Sequence, residues 1–298
     1  MKRQTLHDLR RLASQHKLAM LTCYDASFAA ILDAAEVDTL LVGDSLGMVI
    51  QGHDSTLPVT VADVAYHTRA VARGAPRPWI IADMPFGSYQ QSPEQAFANA
   101  VVLLQAGAQM VKLEGGLEMA PTISFLVQRG VPVCAHVGLT PQHVNAFGGY
   151  RVQGRGSGAV AVLQAARAVT AAGAAMLVIE AVPEPVARAI AQESGALTIG
   201  IGASVHCHGQ VLVLHDMLGV VTTKRPRFVK DFLAETGGAT GAASIEALIG
   251  RHRGGAAQRL TVTDLEMLAD RKTGQQRQVA RKAVASNPIA HVESRGHV

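Results

Sequence analysis

Leu40-Leu41-Val42-Gly43-Asp44-Ser45-Leu46-Gly47 is an apolar run that stops abruptly on a glycine, a carboxylate and a hydroxyl. Such a run reads as a strand buried on both faces, and a parallel α/β protein gathers its chemistry at the C-terminal ends of such strands. The pattern returns at Ile80-Ile81-Ala82-Asp83, at Met110-Val111-Lys112-Leu113-Glu114 and at Met176-Leu177-Val178-Ile179-Glu180. Four apolar strands that each close on a charged residue imply that their ends converge on one site.

Outward from these runs, strands are expected over 18–24, 39–44, 79–83, 109–114, 131–136, 175–180, 197–202 and 211–215. Helical spacing separates them over 5–16, 27–36, 61–73, 118–129, 158–172 and 186–194, and between Ser92 as N-cap and Gly107 as C-cap. Asp25 or Ser27 is read as the cap of the second helix. Eight strands alternating with helices fit a (β/α)8 TIM barrel of about 250 residues. An open doubly wound sheet is the alternative; at this length it would more often carry a second domain. The barrel is assigned to residues 1–252. Beyond Pro226, helices are expected over 228–233 and 243–252, and residues 253–298 read as a helical or disordered appendage rich in Arg, Lys and Gln.

The bulk numbers agree with one large core. The 298 residues are 48% hydrophobic but only 4% aromatic, so small aliphatic side chains must fill the interior. Net charge is +4, with much of the positive excess in the tail, which argues against a nucleic-acid face. Cys23, Cys134 and Cys207 are scattered in or beside apolar runs; a reducing cytoplasm is expected rather than a disulfide framework. No secretory signal is expected in the polar N-terminal segment, and no apolar run approaches the roughly 18 residues that a bilayer requires.

In a barrel, Asp44, Asp83, Lys112, Glu114, His136 and Glu180 come from strands two to six and point into one rim. Three carboxylates from neighbouring strands suit a hard divalent cation such as Mg²⁺. Lys112, beside carboxylates at a strand end, is placed to hold a substrate anion or a developing oxyanion. Glu180 closes an apolar strand, an environment that suits a general base. Each acid alone could be a cap or an ion-pair partner; five strand ends together make a structural accident a poor explanation. His53 and Asp54, in the polar loop 47–58, could be a catalytic pair or could hold the loop's shape. The glycine-rich segment 147–156 lacks a proper dinucleotide fingerprint and is read as a mobile loop over the barrel mouth. His206-Cys207-His208 matches no ordinary zinc spacing and is read as loop structure.

These residues carry a resemblance. Residues 41–48, continuing through Gln51-Gly52-His53-Asp54-Ser55-Thr56-Leu57-Pro58-Val59-Thr60, closely resemble ketopantoate hydroxymethyltransferase, also called 3-methyl-2-oxobutanoate hydroxymethyltransferase. So do Val111-Lys112-Leu113-Glu114-Gly115-Gly116, His136-Val137-Gly138-Leu139-Thr140-Pro141-Gln142, Phe147-Gly148-Gly149-Tyr150-Arg151-Val152-Gln153-Gly154-Arg155 and Gly209-Gln210-Val211-Leu212-Val213. The resemblance spans roughly residues 3–250. It implies a barrel of the phosphoenolpyruvate mutase/isocitrate lyase type, Mg²⁺, the keto acid 3-methyl-2-oxobutanoate, and 5,10-methylenetetrahydrofolate as co-substrate. It also implies the product 2-dehydropantoate, on the route to pantothenate and coenzyme A, and a homo-oligomer, typically a decamer. On this chain Asp44, Asp83 and Glu114 would serve the metal, and Asp44, Ser45, Asp83, Lys112 and His136 the keto acid. Glu180 would accept the proton.

Two departures stand out. The family's Gly-Ala-Gly and Cys-Asp-Gly-Gln are here Gly202-Ala203-Ser204 and Cys207-His208-Gly209-Gln210, after strand seven, where folate is expected to approach. The family's C-terminal ending is also missing. The competing readings are a barrel that binds keto acid or folate without turnover, and a related Mg²⁺-dependent lyase.

Overall fold

The computed structural model describes residues 2–220 together with 228 and 229. The strands are β1 (Leu18–Thr22), β2 (Thr39–Val42), β3 (Trp79–Asp83), β4 (Met110–Glu114), β5 (Val133–Gly138), β6 (Met176–Glu180), β7 (Leu197–Ile201) and β8 (Gly209–Leu212). Neighbours pair in parallel in chain order, and β8 returns to β1, closing the barrel. The barrel expectation therefore holds, and the open sheet does not.

The helices are α1 (Leu6–Ala13), α2 (Ala26–Ala34), α3 (Leu46–Val49), α4 (Val61–Gly74), α5 (Pro93–Gln105), α6 (Ala120–Gln128), α7 (Val144–Phe147), α8 (Gly158–Ala171), α9 (Glu184–Glu193) and α10 (Leu214–Met217). Their starts follow local chemistry. Asp25, not Ser27, caps α2, its carboxylate accepting from the Phe28 N–H at 2.8 Å. Ser92 caps α5, with Pro93 in the first turn.

Two strands differ from the sequence-based expectation, for simple reasons. β8 begins at Gly209, where it joins Leu18 of β1, and it ends before Leu214, whose N–H donates to the Thr22 hydroxyl. It therefore lies earlier than 211–215. β5 starts after Pro132, which has no N–H to give a ladder, and continues to Gly138. The segment 202–208 between β7 and β8 carries no helix. The expected helices at 228–233 and 243–252 and the appendage 253–298 lie outside the described residues, apart from Phe228 and Val229.

Alternation along each strand divides the core into two layers. Ala19, Leu21, Leu40, Ile80, Val111, Ala135 and Leu177 face outward against the helices. Leu18, Met20, Leu41, Ile81, Met110, Cys134, Met176, Val178 and Ile199 fill the barrel. The amphipathic α1 sets Leu9 against this inner cluster, beside the N-terminal start of β1, and so closes the lower end of the barrel.

Candidate active site

The inner layer dictates what lies above it. Ile81 faces inward, so Asp83, two residues on, does too; Met110 implies Lys112 and Glu114, Cys134 implies His136, and Val178 implies Glu180. Strand register then makes neighbours of them. Asp83 stands opposite Lys112, Glu114 opposite His136, and Gly138 opposite Glu180. Gly138 has φ +95°, and a Cβ there would run into the Glu180 carbonyl; glycine lets β5 come this close to the end of β6. Asp44 enters just beyond β2. Its N–H donates to Asp83 Oδ2 at 2.8 Å, over a Gly43 where a Cβ would crowd Ser45 and Asp83.

The side chains form one connected cluster. Lys112 Nζ lies 2.8 Å from Asp83 Oδ1, 4.0 Å from Glu114 Oε1 and 3.4 Å from His136 Nδ1. His136 reaches Glu114 Oε1 through Nδ1 and Glu180 Oε2 through Nε2, both at 3.3 Å. Ser45 is joined through its hydroxyl to Tyr24 Oη at 2.8 Å. All six strand-end candidates and Ser45 thus belong to one rim. His53 and Asp54 are exposed, and no hydrogen bond or ion pair ties their side chains to the cluster among the described residues.

Burial and mutual charge set the ionisation. Asp44 is pushed well above the usual carboxylate range by burial, then by Asp83 and Glu114. Glu114 is also opposed by burial, but its hydrogen bond to His136, the charges of His136 and Lys112 and the N–H of Gln142 bring it below that range. Burial and Lys112 both work against a charged His136, yet Glu114 and Glu180 overcome them and carry it up to about 9. Burial likewise opposes the Lys112 ammonium, and Asp83, Glu114 and Asp44 hold it on.

This donor set fits a divalent cation. Asp44, Asp83, Glu114 and Glu180 face Lys112 and His136, leaving two negative charges at the rim when all four acids are ionised. Asp83 Oδ1 and Glu114 Oε1 are buried, with Lys112 and His136 as their nearest charged neighbours. Among the described residues no three His, Cys, Asp or Glu side chains are drawn together as an ion cage. Carboxylate oxygens of this kind are the donor type that a hard ion such as Mg²⁺ takes, usually one or two of them with water completing the shell.

Sequence reasoning missed Gln142, Tyr89 and Tyr24. Gln142 Nε2 donates to Asp44 Oδ2 at 2.8 Å, and its backbone N–H donates to Glu114 Oε2 at 2.9 Å. Tyr89 Oη reaches Gln142 Oε1 at 2.6 Å. Gln142 closes the family-like segment that starts at His136, but no periodic signal marks a loop glutamine as buried.

The family model described as ketopantoate hydroxymethyltransferase matches residues 3–245. The chain belongs to this family. It is 59% identical over 234 residues to 3-methyl-2-oxobutanoate hydroxymethyltransferase of Dechloromonas aromatica, covering 78% of this chain and 86% of the relative. Against the enzyme of the same name from Burkholderia multivorans identity is 63% over 218 residues, 73% of this chain and 80% of the relative. Among solved structures, phosphonopyruvate hydrolase in complex with oxalate and Mg²⁺ is similar with a TM-score of 0.56 at 15% identity, over 86% of this chain and 100% of that one. So is 2,3-dimethylmalate lyase, a member of the phosphoenolpyruvate mutase/isocitrate lyase superfamily, with a TM-score of 0.55 at 16% identity, over 90% and 99%. These likenesses show the same closed-barrel fold.

For a ketopantoate hydroxymethyltransferase family member, the departure at His208 takes on a different meaning in three dimensions. The His208 carbonyl accepts from the N–H of Leu18, at the start of β1, and His208 Nδ1 accepts from the Thr198 N–H. That is the lower side of the barrel, away from Asp44 and Glu180, so His208 does not lie where folate was expected to approach. Burial, and then Lys17, lower its pKa, which keeps the ring neutral as an acceptor. Ser204 is buried, and its hydroxyl donates to Glu184 at the start of α9. The glycine-rich loop does meet the mouth. Tyr150 Oη lies 3.6 Å from Met48 Sδ, and the Gln153 N–H donates to the Ala181 carbonyl next to Glu180.

Proposed function

We propose that this chain transfers a hydroxymethyl group from 5,10-methylenetetrahydrofolate to 3-methyl-2-oxobutanoate, giving 2-dehydropantoate. The observation that carries the reading is the contact of Glu180 with His136 at 3.3 Å, in the same rim as Asp44, Asp83, Lys112 and Glu114. A base, a cation and hard oxygen donors stand where an α-keto acid could be bound and deprotonated at C3.

Asp44 and Asp83 would hold Mg²⁺, directly or through water, with Glu114 beside them. When bound, the ion stabilises the negative charge that develops on the keto oxygen. Lys112 adds positive charge at the same place, and its contact with Asp83 keeps its ammonium aimed there. Ser45, fixed by Tyr24, donates to the keto acid's carboxylate. Glu180 takes the C3 proton, and His136 holds Glu180 in place through Nε2. The electron pair left on C3 forms the new carbon–carbon bond to the one-carbon unit. Both C–N bonds of the methylene bridge break, water supplies the new hydroxyl and one proton, and the proton taken by Glu180 makes up the second N–H of the departing tetrahydrofolate.

A cytoplasmic setting belongs to the same reading and suits Cys23, Cys134 and Cys207, each buried as a free thiol. So does a homo-oligomer; exposed Val102, Leu117 and Val160 offer apolar surface to a second copy, and light scattering measures the assembly. The deciding experiment incubates the protein with the keto acid in D2O, with and without Mg²⁺, and follows the C3 proton by NMR. Metal-dependent exchange, and 2-dehydropantoate once the folate is added, is the expected result. Exchange without product supports the binding-without-turnover alternative at the one-carbon step. No exchange overturns the proposal.

A further inference from the structure

We propose that Tyr89 and Gln142 form a one-directional hydrogen-bond chain that positions Asp44 and Glu114 for the metal ion, which makes Gln142 a positioning residue of the reaction. The inference rests on the reading of Asp44 as a metal carboxylate.

The direction of the chain follows from counting protons. The Glu114 N–H lies 3.1 Å from Tyr89 Oη, and a backbone N–H can only donate. Tyr89 Oη therefore accepts there and has one proton to give. Gln142 Oε1 lies 2.6 Å away and the Glu114 carbonyl 3.1 Å, so the shorter bond to Gln142 takes it. Gln90 Nε2 also donates to Gln142 Oε1, at 3.3 Å. With its oxygen thus occupied by donors, the Gln142 amide can be turned only one way. Nε2 faces two acceptors, Asp44 Oδ2 at 2.8 Å and the Met84 carbonyl at 3.0 Å. The backbone N–H of the same residue holds Glu114 Oε2.

One buried residue thereby grips two acids, one just beyond β2 and one at the end of β4. Tyr89 is fully buried, so no water competes for its hydroxyl. The choice of an amide matters chemically. Asp44 needs a donor, because Asp83 and Glu114 repel its charge. A lysine or arginine at 142 would supply one but would also neutralise the site and compete with a bound cation. A neutral amide orients Asp44 and leaves the negative charge for the metal.

The test titrates the full-length chain and its variants with Mn²⁺ alone, reading free ion by electron paramagnetic resonance. Gln142→Met keeps the side-chain length and removes all four hydrogen bonds of the side-chain amide; it is expected to weaken Mn²⁺ binding about 10- to 100-fold, the range for loss of a partner that orients a ligand. Tyr89→Phe frees the amide to turn and is expected to weaken binding in the same direction by less. The double variant is expected to bind within about twofold of Gln142→Met, because Tyr89 acts through Gln142. Unchanged affinity in Gln142→Met, or additive losses in the double variant, overturns the chain while leaving the metal reading intact. Failure of the unsubstituted protein to bind Mn²⁺ overturns the metal reading and this inference with it. If Gln142→Met does not give a cooperative thermal melt, Tyr89→Phe decides, and unchanged affinity there overturns the proposal.

Discussion

Lys112 Nζ and Asp83 Oδ1 lie 2.8 Å apart on adjacent strands, in the same row of the barrel and almost wholly removed from solvent. The pair is the charged floor of the rim. Each partner makes the other's burial tolerable, and the remaining carboxylates make the ammonium permanent.

Removing one partner should therefore be expensive. Lys112→Met keeps the apolar stem and leaves Asp83, Asp44 and Glu114 facing one another. A loss of about 3–5 kcal/mol in urea denaturation without metal is expected. Added Mg²⁺ should raise the melting temperature of this variant by more than it raises that of the unsubstituted protein. A melt that is indifferent to the substitution would contradict the ion pair.

Glu180→Gln keeps the shape of the proposed base and removes its ability to take a proton. C3 exchange in D2O is expected to fall by about 10²–10⁴-fold, with keto-acid affinity changed only a few-fold by calorimetry. Chelation of the metal should abolish exchange in the unsubstituted protein and readdition of Mg²⁺ restore it. Equal exchange in Glu180→Gln would remove Glu180 from the role.

The three thiols are expected to be inert in the folded state. Burial, first among the causes, pushes Cys23 and Cys134 up to about 12 and Cys207 to about 11. At pH 8 almost none is thiolate. Iodoacetamide at that pH should label none of them before unfolding and all three after it, as read by mass spectrometry. Rapid labelling of native protein would place a thiol at the surface.

Helix α4 offers a pH-dependent check of a local feature. The Thr60 hydroxyl accepts from the Asp63 N–H, and Asp63 Oδ2 accepts from the N–H and hydroxyl of Thr60. These bonds lower the Asp63 pKa. A depressed carboxylate adds stability above its unfolded value, about 3.9, and loses it as pH falls through the folded value. Thr60→Ala is expected to cost about 1 kcal/mol near neutrality. Its melting temperature should also fall less steeply below pH 4 than that of the unsubstituted protein. Parallel pH profiles would show that the cap is not formed.

His208→Asp restores the family's residue at the lower side of the barrel. Since His208 bonds Thr198 and lies toward the start of β1, kcat/KM is expected to stay within about twofold. A tenfold change in KM for the folate would tie this position to the one-carbon carrier after all.

Much of the rim is legible in the order of residues along each strand. Asp83, Lys112, Glu114, His136 and Glu180 share the inward parity of apolar residues two or four positions earlier, and parity is a property of each strand alone. Asp25 and Ser92 announce their caps because capping acts over three residues. His208 misleads, since adjacency to β7 in the chain says nothing about which end of the barrel the turn reaches.

Sequence alone determined that this is an eight-stranded parallel barrel with acids and an amine at its strand ends, because alternation and strand-terminal charge are written locally. Only the tertiary structure decided that Glu114 is gripped by His136 and Gln142, that Tyr89 turns the Gln142 amide toward Asp44, and that His208 stands apart from the chemistry. Those contacts depend on register between strands and on where a loop folds back, which no single segment encodes.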